Sequence, residues 1–254
     1  MDKPESSVVL LEKNEVGRDF VVGDIHGHFE LLELLLGEIA FNKECDRVIS
    51  VGDLIDRGPE SEKALDYWQQ PWFFAVRGNH EAMLLGAQSN YFSRVYQLWM
   101  DNGGEWAENA SEALLNEMAN CISQLPYVIS VETQLGVVGI AHADVPITSW
   151  AKLLQKLDKD KLRDKELEKL LWSRATFKQY LFNPINEEYL IKGVRKLYLG
   201  HNIVSYPSLY GNIMFIDTGA YRTGCLTAVD LQTEETIMVQ TESDLSQKYL
   251  SAIS

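Results

Sequence analysis

The chain predicts an α/β fold (α+β in some schemes), and three observations carry that expectation. The first ninety residues alternate three times between a short apolar run and an amphipathic run. Each apolar run ends on a polar, glycine-containing turn, and a further group of apolar runs crowds the C-terminal part. Alternation of this kind implies β-α-β units with parallel strands and right-handed helical crossovers.

The elements follow in order. "RDFVVGD", "DRVISVGD" and "WFFAVRGN" are the three strands, and "FELLELLLGEIA", "ESEKALDYWQQ" and "HEAMLLGA" the helices after them. A helical insertion at approximately 91–123 then turns around Gly103 and Gly104, with Trp99 and Trp106 read as core residues. "PYVISVET" and "LGVVGIAH" form a hairpin across a short polar turn. Residues at approximately 149–180 carry Lys, Asp, Glu and Leu at helical spacing, which reads as a solvated charged face, with a lid as the alternative. The tail returns to strands in "RKLYLGH", "NIMFIDTG", "CLTAVDLQ" and "ETIMVQ". No linker interrupts the chain, so residues 1–254 are expected to form a single domain, within the size one core can support.

Composition narrows the function. The chain is ordinary in hydrophobic (46%) and charged (24%) content, and its net charge of −14 argues against general binding of nucleic acid or an anionic membrane, which needs a positive face. A phosphate-bearing substrate then requires local cations. "MDKPESS" lacks the apolar core of a signal peptide, and "LLELLLGEIA" is too short and too acidic to span a bilayer. Cys45, Cys121 and Cys225 are widely spaced and outside any CxxC pair, which favours thiols over disulfides. A cytoplasmic location is expected.

The chemistry lies in the strand ends. Asp24 and His26 in "GDIHGH", Asp53, Asp56 and Arg57 in "GDLIDRGP", and Arg77, Asn79 and His80 in "RGNHE" converge on one sheet edge, where open α/β sheets place ligands. His142 in "GIAHAD" and His201 in "YLGHN" each end a later apolar run. Asp24, His26, Asp53, Asn79, His142 and His201 are oxygen and imidazole donors suited to Mn²⁺, Fe²⁺ or Zn²⁺. Six donors exceed one tetrahedral ion and fit two if a carboxylate bridges; two cations about 3.5–4 Å apart activate water for in-line attack on a phosphoryl group.

In their order, "GDIHGH", "GDLIDRGP" and "RGNHE" resemble the three signature motifs of the phosphoprotein phosphatase family of metallophosphoesterases. "MDNGGEW", "AHAD", "WSR" and "IDTGA" are most similar to its bacterial and bacteriophage lambda-type members. The resemblance implies a calcineurin-like fold with a central β-sandwich flanked by helices. It also implies two divalent ions, Mn²⁺ first, with Fe or Zn as alternatives. Asp24, His26 and Asp53 would hold one ion, and Asp53, Asn79, His142 and His201 the other, so that Asp53 bridges. His80 matches a general acid that protonates the leaving alkoxide, oriented by Asp56. Arg57 and Arg77 supply guanidinium forks matched to phosphate oxygens, and Arg174 in "WSR" resembles a third phosphate contact. His28 is read as a helix-start or rim residue, Asp144 as a support of the ligand shell or a turn residue, Glu81 as a support of its motif. Tyr221 and Arg222 are placed at the edge of the site.

The expected activity is hydrolysis of phosphoserine and phosphothreonine monoesters on a phosphoprotein or phosphopeptide, with phosphotyrosine also in reach. A dinucleoside tetraphosphate or other nucleotide phosphohydrolase is the alternative, and a noncatalytic metal-binding scaffold the weaker one. No nucleic-acid or membrane partner is expected.

Overall fold

The computed structural model describes residues 6–89 and 94–241. The N-terminal part runs β1 (Val8–Leu11), β2 (Asp19–Val22), α1 (Phe29–Glu38), β3 (Arg47–Ser50), α2 (Ala64–Trp68), β4 (Phe73–Ala75) and α3 (Asn79–Ser89). The insertion follows as α4 (Arg94–Trp99) and α5 (Glu112–Gln124), then the hairpin of β5 (Val128–Thr133) and β6 (Gly136–Ala141). The charged segment divides into α6 (Trp150–Asp158), α7 (Asp164–Trp172) and α8 (Ala175–Phe182). The chain closes with β7 (Lys196–Leu199), β8 (Ser208–Tyr210), β9 (Ile213–Phe215), α9 (Ala220–Thr223), β10 (Cys225–Asp230) and β11 (Thr236–Gln240).

Two sheets face each other between helices, the expected calcineurin-like sandwich. One has the order β11-β10-β2-β3-β4 and the other β1-β5-β6-β7-β9-β8. Strands β2, β3 and β4 are parallel, and β5 and β6 form the expected antiparallel hairpin. The sequence does not divide cleanly between the sheets: β10 pairs antiparallel with β2, Ala228 opposite Val22, and β1 pairs parallel with β5. Strands β1 and β8 were not anticipated.

Side chains alternate across a strand, so β2 feeds two cores. Val21, with Ile49, Val51 and Val76, meets Ile129, Val131, Ile140 and Tyr198 of the opposite sheet. Phe20 and Val22 point outward against Leu31, Leu32 and Leu35 of α1 and Met118 and Ile122 of α5. On the far side, Leu153, Leu157, Leu167, Leu170 and Leu171 of α6 and α7 cover the other sheet with Leu197, Leu199 and Phe215. That apolar stripe packs α6 and α7 as a wall of the sandwich, which favours a structural role over a lid and leaves most of the segment's Lys and Glu residues facing solvent, Glu166 being buried. Truncating a core residue such as Leu32 to Ala is expected to cost about 2–5 kcal/mol. Within the insertion the described helices are α4 and α5, joined through a kinked and 3-10 stretch over 100–109; residues 91–93 lie outside the described residues.

Candidate metal centre

The loops after β2, β3, β4, β6 and β7 meet at one end of the sandwich. Eight described non-glycine residues have positive φ, and five of them are here: His26, Asp53, Asp56, Arg57 and His201. Left-handed backbone is unfavourable for these residue types, and clustering of such strain marks a site whose geometry the surroundings impose. Close approach matters equally. A Cβ at Gly78 would fall 2.1 Å from Asp53 Oδ1 and 2.5 Å from Asp53 N, so only glycine lets the loop after β4 lie against the loop after β3.

Glu81 binds those two loops together. Its Oε2 accepts from the backbone N–H of Asp53 (2.9 Å) and Gly78 (2.8 Å), and Oε1 from Leu54 (2.8 Å). This supports the motif, as the sequence suggested. Burial, with the nearby Asp53 charge, pushes the Glu81 carboxyl up to about 7.

The side chains of His26, Asp53 and His80 bring ligand atoms within 4.8 Å of one another, and so do those of Asp53, His142 and His201. Asp53 is common to both groups. Asp24 enters from beside them, its Oδ2 accepting from the His201 backbone N–H at 2.9 Å. The tautomer of His26 follows from its neighbours. Nδ1 donates to Ile55 O (2.9 Å), leaving Nε2 as an acceptor for Arg57 Nη1 at 2.8 Å, because guanidinium only donates. His142 donates from Nδ1 to Val51 O (2.8 Å), while its Nε2 lies 2.9 Å from Asn79 Oδ1 and 3.3 Å from Asp53 Oδ2. A proton on Nε2 satisfies both oxygens. Burial opposes that proton, yet the Asp53 charge prevails and raises the His142 pKa.

Charge is concentrated here without solvent. Burial and the neighbouring Asp217 and Asp53 charges push Asp24 well up, whereas for Asp53 burial is outweighed by His142, His80 and His26, which hold it well below the carboxylate range. Burial, then His142, takes His201 down to about 3. Asp24 Oδ1, His80 Nε2 and His201 Nε2 are buried with no hydrogen-bond partner, an expensive condition for polar atoms. The mixture of carboxylate, amide oxygen and neutral imidazole, and orphaned atoms within it, fits divalent cations bound by Asp24, His26, Asp53, Asn79, His142 and His201.

His80 differs from the other histidines. Its Nδ1 donates to Asp56 Oδ2 at 2.6 Å and its Nε2 stands 3.9 Å from Asp53 Oδ2. Asp56 is fully buried, and both Trp99 and Trp106 donate their indole N–H to it. These tryptophans therefore do more than fill the core. A buried indole N–H needs an acceptor, which is the signal that could have found them.

A cavity of about 240 Å³ opens beside the cluster, lined by Asp53, His201, Tyr221, Arg57, Arg174 and Arg222 among others. Arg57 stacks over the Tyr221 ring at 4.3 Å, and Arg174 Nη1 donates to Asn202 Oδ1 at 2.9 Å. Among the described residues no carboxylate forms an ion pair with any of these three arginines.

Arg77 corrects the sequence reading. Its guanidinium turns away and donates to the carbonyls of Ile122 (3.0 Å) and Ser123 (2.8 Å) near the end of α5. It is buried over the Tyr127 ring, where a cation complements the helix C-terminus. Of the two readings of Asp144, the structure shows the turn contact rather than ligand-shell support: it accepts from Val145 N, and also from Ser173 Oγ and Thr176 Oγ1, and so anchors the segment carrying Arg174. His28 precedes α1 and contacts Glu30 Oε1 at 2.8 Å, as a helix-start residue.

Residues 20–202 match the calcineurin-like phosphoesterase family model. The chain belongs to that family. It is 36% identical over 239 residues to serine/threonine-protein phosphatase 1 of Salmonella typhimurium, covering 91% of this chain and all of the relative. It is also 41% identical to the symmetrical bis(5'-nucleosyl)-tetraphosphatase of Pseudomonas fluorescens, over 73 residues that cover 28% of this chain and 25% of that protein. A crystal structure of a diadenosine tetraphosphatase-like protein superposes with a TM-score of 0.63 at 22% identity, covering 92% of this chain and 98% of the other; at that identity the likeness concerns fold. No helix among the described residues is long and apolar enough to cross a membrane.

Proposed function

We propose that the chain is a serine/threonine protein phosphatase that uses a binuclear metal centre to hydrolyse phosphate monoesters, with phosphotyrosine as a further substrate. The observation that carries this reading is the cavity that sets Arg57, Arg174 and Arg222 beside Asp53 and His201. In a chain of net charge −14, three arginines that pair with no carboxylate among the described residues, gathered in one cavity, suit a dianion. The choice of phosphoprotein over nucleotide is supported by the similarity to the Salmonella phosphatase along nearly the whole chain.

Two divalent cations, manganese foremost, would be held by Asp24, His26, Asp53, Asn79, His142 and His201, lowering the pKa of a water and neutralising phosphoryl charge. Arg57 and Arg174 orient the phosphoryl oxygens by bidentate contact. His80 delivers a proton from Nε2 to the leaving serine or threonine oxygen, while Asp56 fixes its ring through Nδ1. The three cysteines, none in a disulfide, support a cytoplasmic location.

The test is an assay after metal reconstitution with phosphoserine, phosphothreonine and phosphotyrosine peptides against diadenosine tetraphosphate. Preference for a phosphopeptide is expected. A clear preference for the nucleotide overturns the reading in favour of a nucleotide phosphohydrolase, and two bound ions without turnover leave a metal-binding scaffold.

A further inference from the structure

Asp56 is more completely held than an orienting carboxylate requires. Trp99 Nε1 donates to both of its oxygens, at 3.0 and 2.9 Å, and Trp106 Nε1 donates to Oδ1 at 2.7 Å. His80 Nδ1 takes Oδ2 at 2.6 Å, and the Asp56 backbone N–H donates to Ser61 Oγ at 2.8 Å. The two indoles stand edge to face, their ring centres 6.2 Å apart. No lysine or arginine pairs with this fully buried carboxylate among the described residues. Its two oxygens are met by two indole N–H donors and one imidazole.

Both indoles come from the insertion between α3 and α5, not from the sandwich. The chain leaves α4 through a kink within Met100–Gly104, where Asn102 and Gly103 depart from helical φ/ψ. Gly103 O accepts from the Arg57 backbone N–H at 3.1 Å, and a Cβ on Gly103, at φ +101°, would fall 2.8 Å from that nitrogen. The insertion is thus seated against the Asp56-Arg57 turn at three points.

We propose that Trp99 and Trp106 are positioning residues for proton delivery: they hold Asp56 as a buried acceptor, and through it fix the His80 ring with Nε2 aimed into the site. The proposal rests on the reading of His80 as the proton donor. In the reaction a water oxygen bonds to phosphorus as the P–O bond to the serine carbon chain breaks. The bond pair leaves on the serine oxygen, which takes the Nε2 proton of His80; the products are alcohol and phosphate. The proton lost by the water passes to solvent, from which His80 is recharged. An indole donor matters only when the leaving oxygen needs that proton. A charge-assisted hydrogen bond of this kind corresponds to about ten- to a hundredfold in rate.

Trp106→Phe removes one N–H and keeps the ring at a half-buried position. Its turnover number on a phosphoserine peptide should fall about ten- to a hundredfold with little change in KM. On p-nitrophenyl phosphate, whose phenolate leaves without a proton, the fall should be several-fold smaller, and Trp99→Phe should show the same split. In the metal-free protein, the indole N–H proton resonances of Trp99 and Trp106 should lie downfield and move upfield together in Asp56→Asn. Equal losses on both substrates, no loss at all, or indole resonances that ignore Asp56→Asn would overturn the proposal. His80→Asn separates the two layers. If it shows the leaving-group split and the tryptophan variants do not, the indoles have no such role; if it shows none, the reading of His80 as the acid falls first.

Discussion

Arg57 Nη1 donates to His26 Nε2 at 2.8 Å. The same imidazole nitrogen is the one His26 presents to the cluster, because Nδ1 is committed to Ile55 O. A cation on His26 must therefore displace the guanidinium, which is then available over Tyr221 for an anion entering the cavity. Arg57→Ala is expected to bind metal at least as tightly as the parent while kcat/KM for a phosphopeptide falls about 10²-fold or more. Calorimetric metal titration beside steady-state kinetics checks both halves, and weakened metal binding would contradict the displacement.

Metal uptake should also release a proton from His142. The Asp53 charge raises its pKa and so favours a proton on the imidazole, between Asp53 and Asn79, and a metal ligand must give that proton up. Affinity should fall as pH drops through the His142 pKa. Titrations in buffers of different ionisation enthalpy should differ by an amount corresponding to on the order of one proton; identical heats would exclude this.

His80→Asn should keep two ions per chain and lower turnover by about 10²–10⁴. Asp53→Asn, altering the carboxylate common to both ligand groups, should impair metal binding and turnover together. An Asp53→Asn protein with two tightly bound ions and normal rate would remove the bridge.

Glu81 predicts a pH slope in stability. Its folded pKa of about 7 lies above the ordinary value of 4.5, so the folded protein retains a proton that the unfolded chain has lost. Stability of the metal-free protein is then greatest below about pH 4.5, in this contribution, and is lost as pH rises toward 7. Asp217, raised to about 6 mainly by burial, adds with the same sign. Glu81→Gln keeps one acceptor oxygen but sets an NH2 against at least one of the three backbone N–H groups, and should cost about 1–3 kcal/mol at pH 5. The gap from the parent should narrow toward pH 8 in urea melts of the metal-free proteins; a gap that widens would refute the assignment.

The strand-end rule accounts for what could be read in advance. Asp24, His26, Asp53, Asn79, His142 and His201 follow apolar runs, and a parallel arrangement of those runs brings them together before any tertiary detail is known. Arg77 obeys the same rule and breaks the inference, because its direction depends on where α5 ends against it. Trp99 and Trp106 look like core by composition, and only the seating of the insertion reveals that their N–H groups converge on Asp56. Strand β1 has four residues and β8 three, too short for a period-two pattern to stand out. Their strand character comes from partners, Val128–Val131 for β1 and Ile213–Phe215 for β8.

The pairing of β2 with β10 has a consequence for synthesis. β2 emerges from the ribosome early, yet one side of it is covered only when Cys225–Asp230 arrives. The Asp24 carboxylate likewise waits for the His201 N–H, 177 positions later. Contacts of such long range slow folding and leave strand edges open to wrong partners meanwhile. A nascent chain therefore carries its first two signature motifs without being able to assemble the centre until His201 and Cys225–Asp230 have followed.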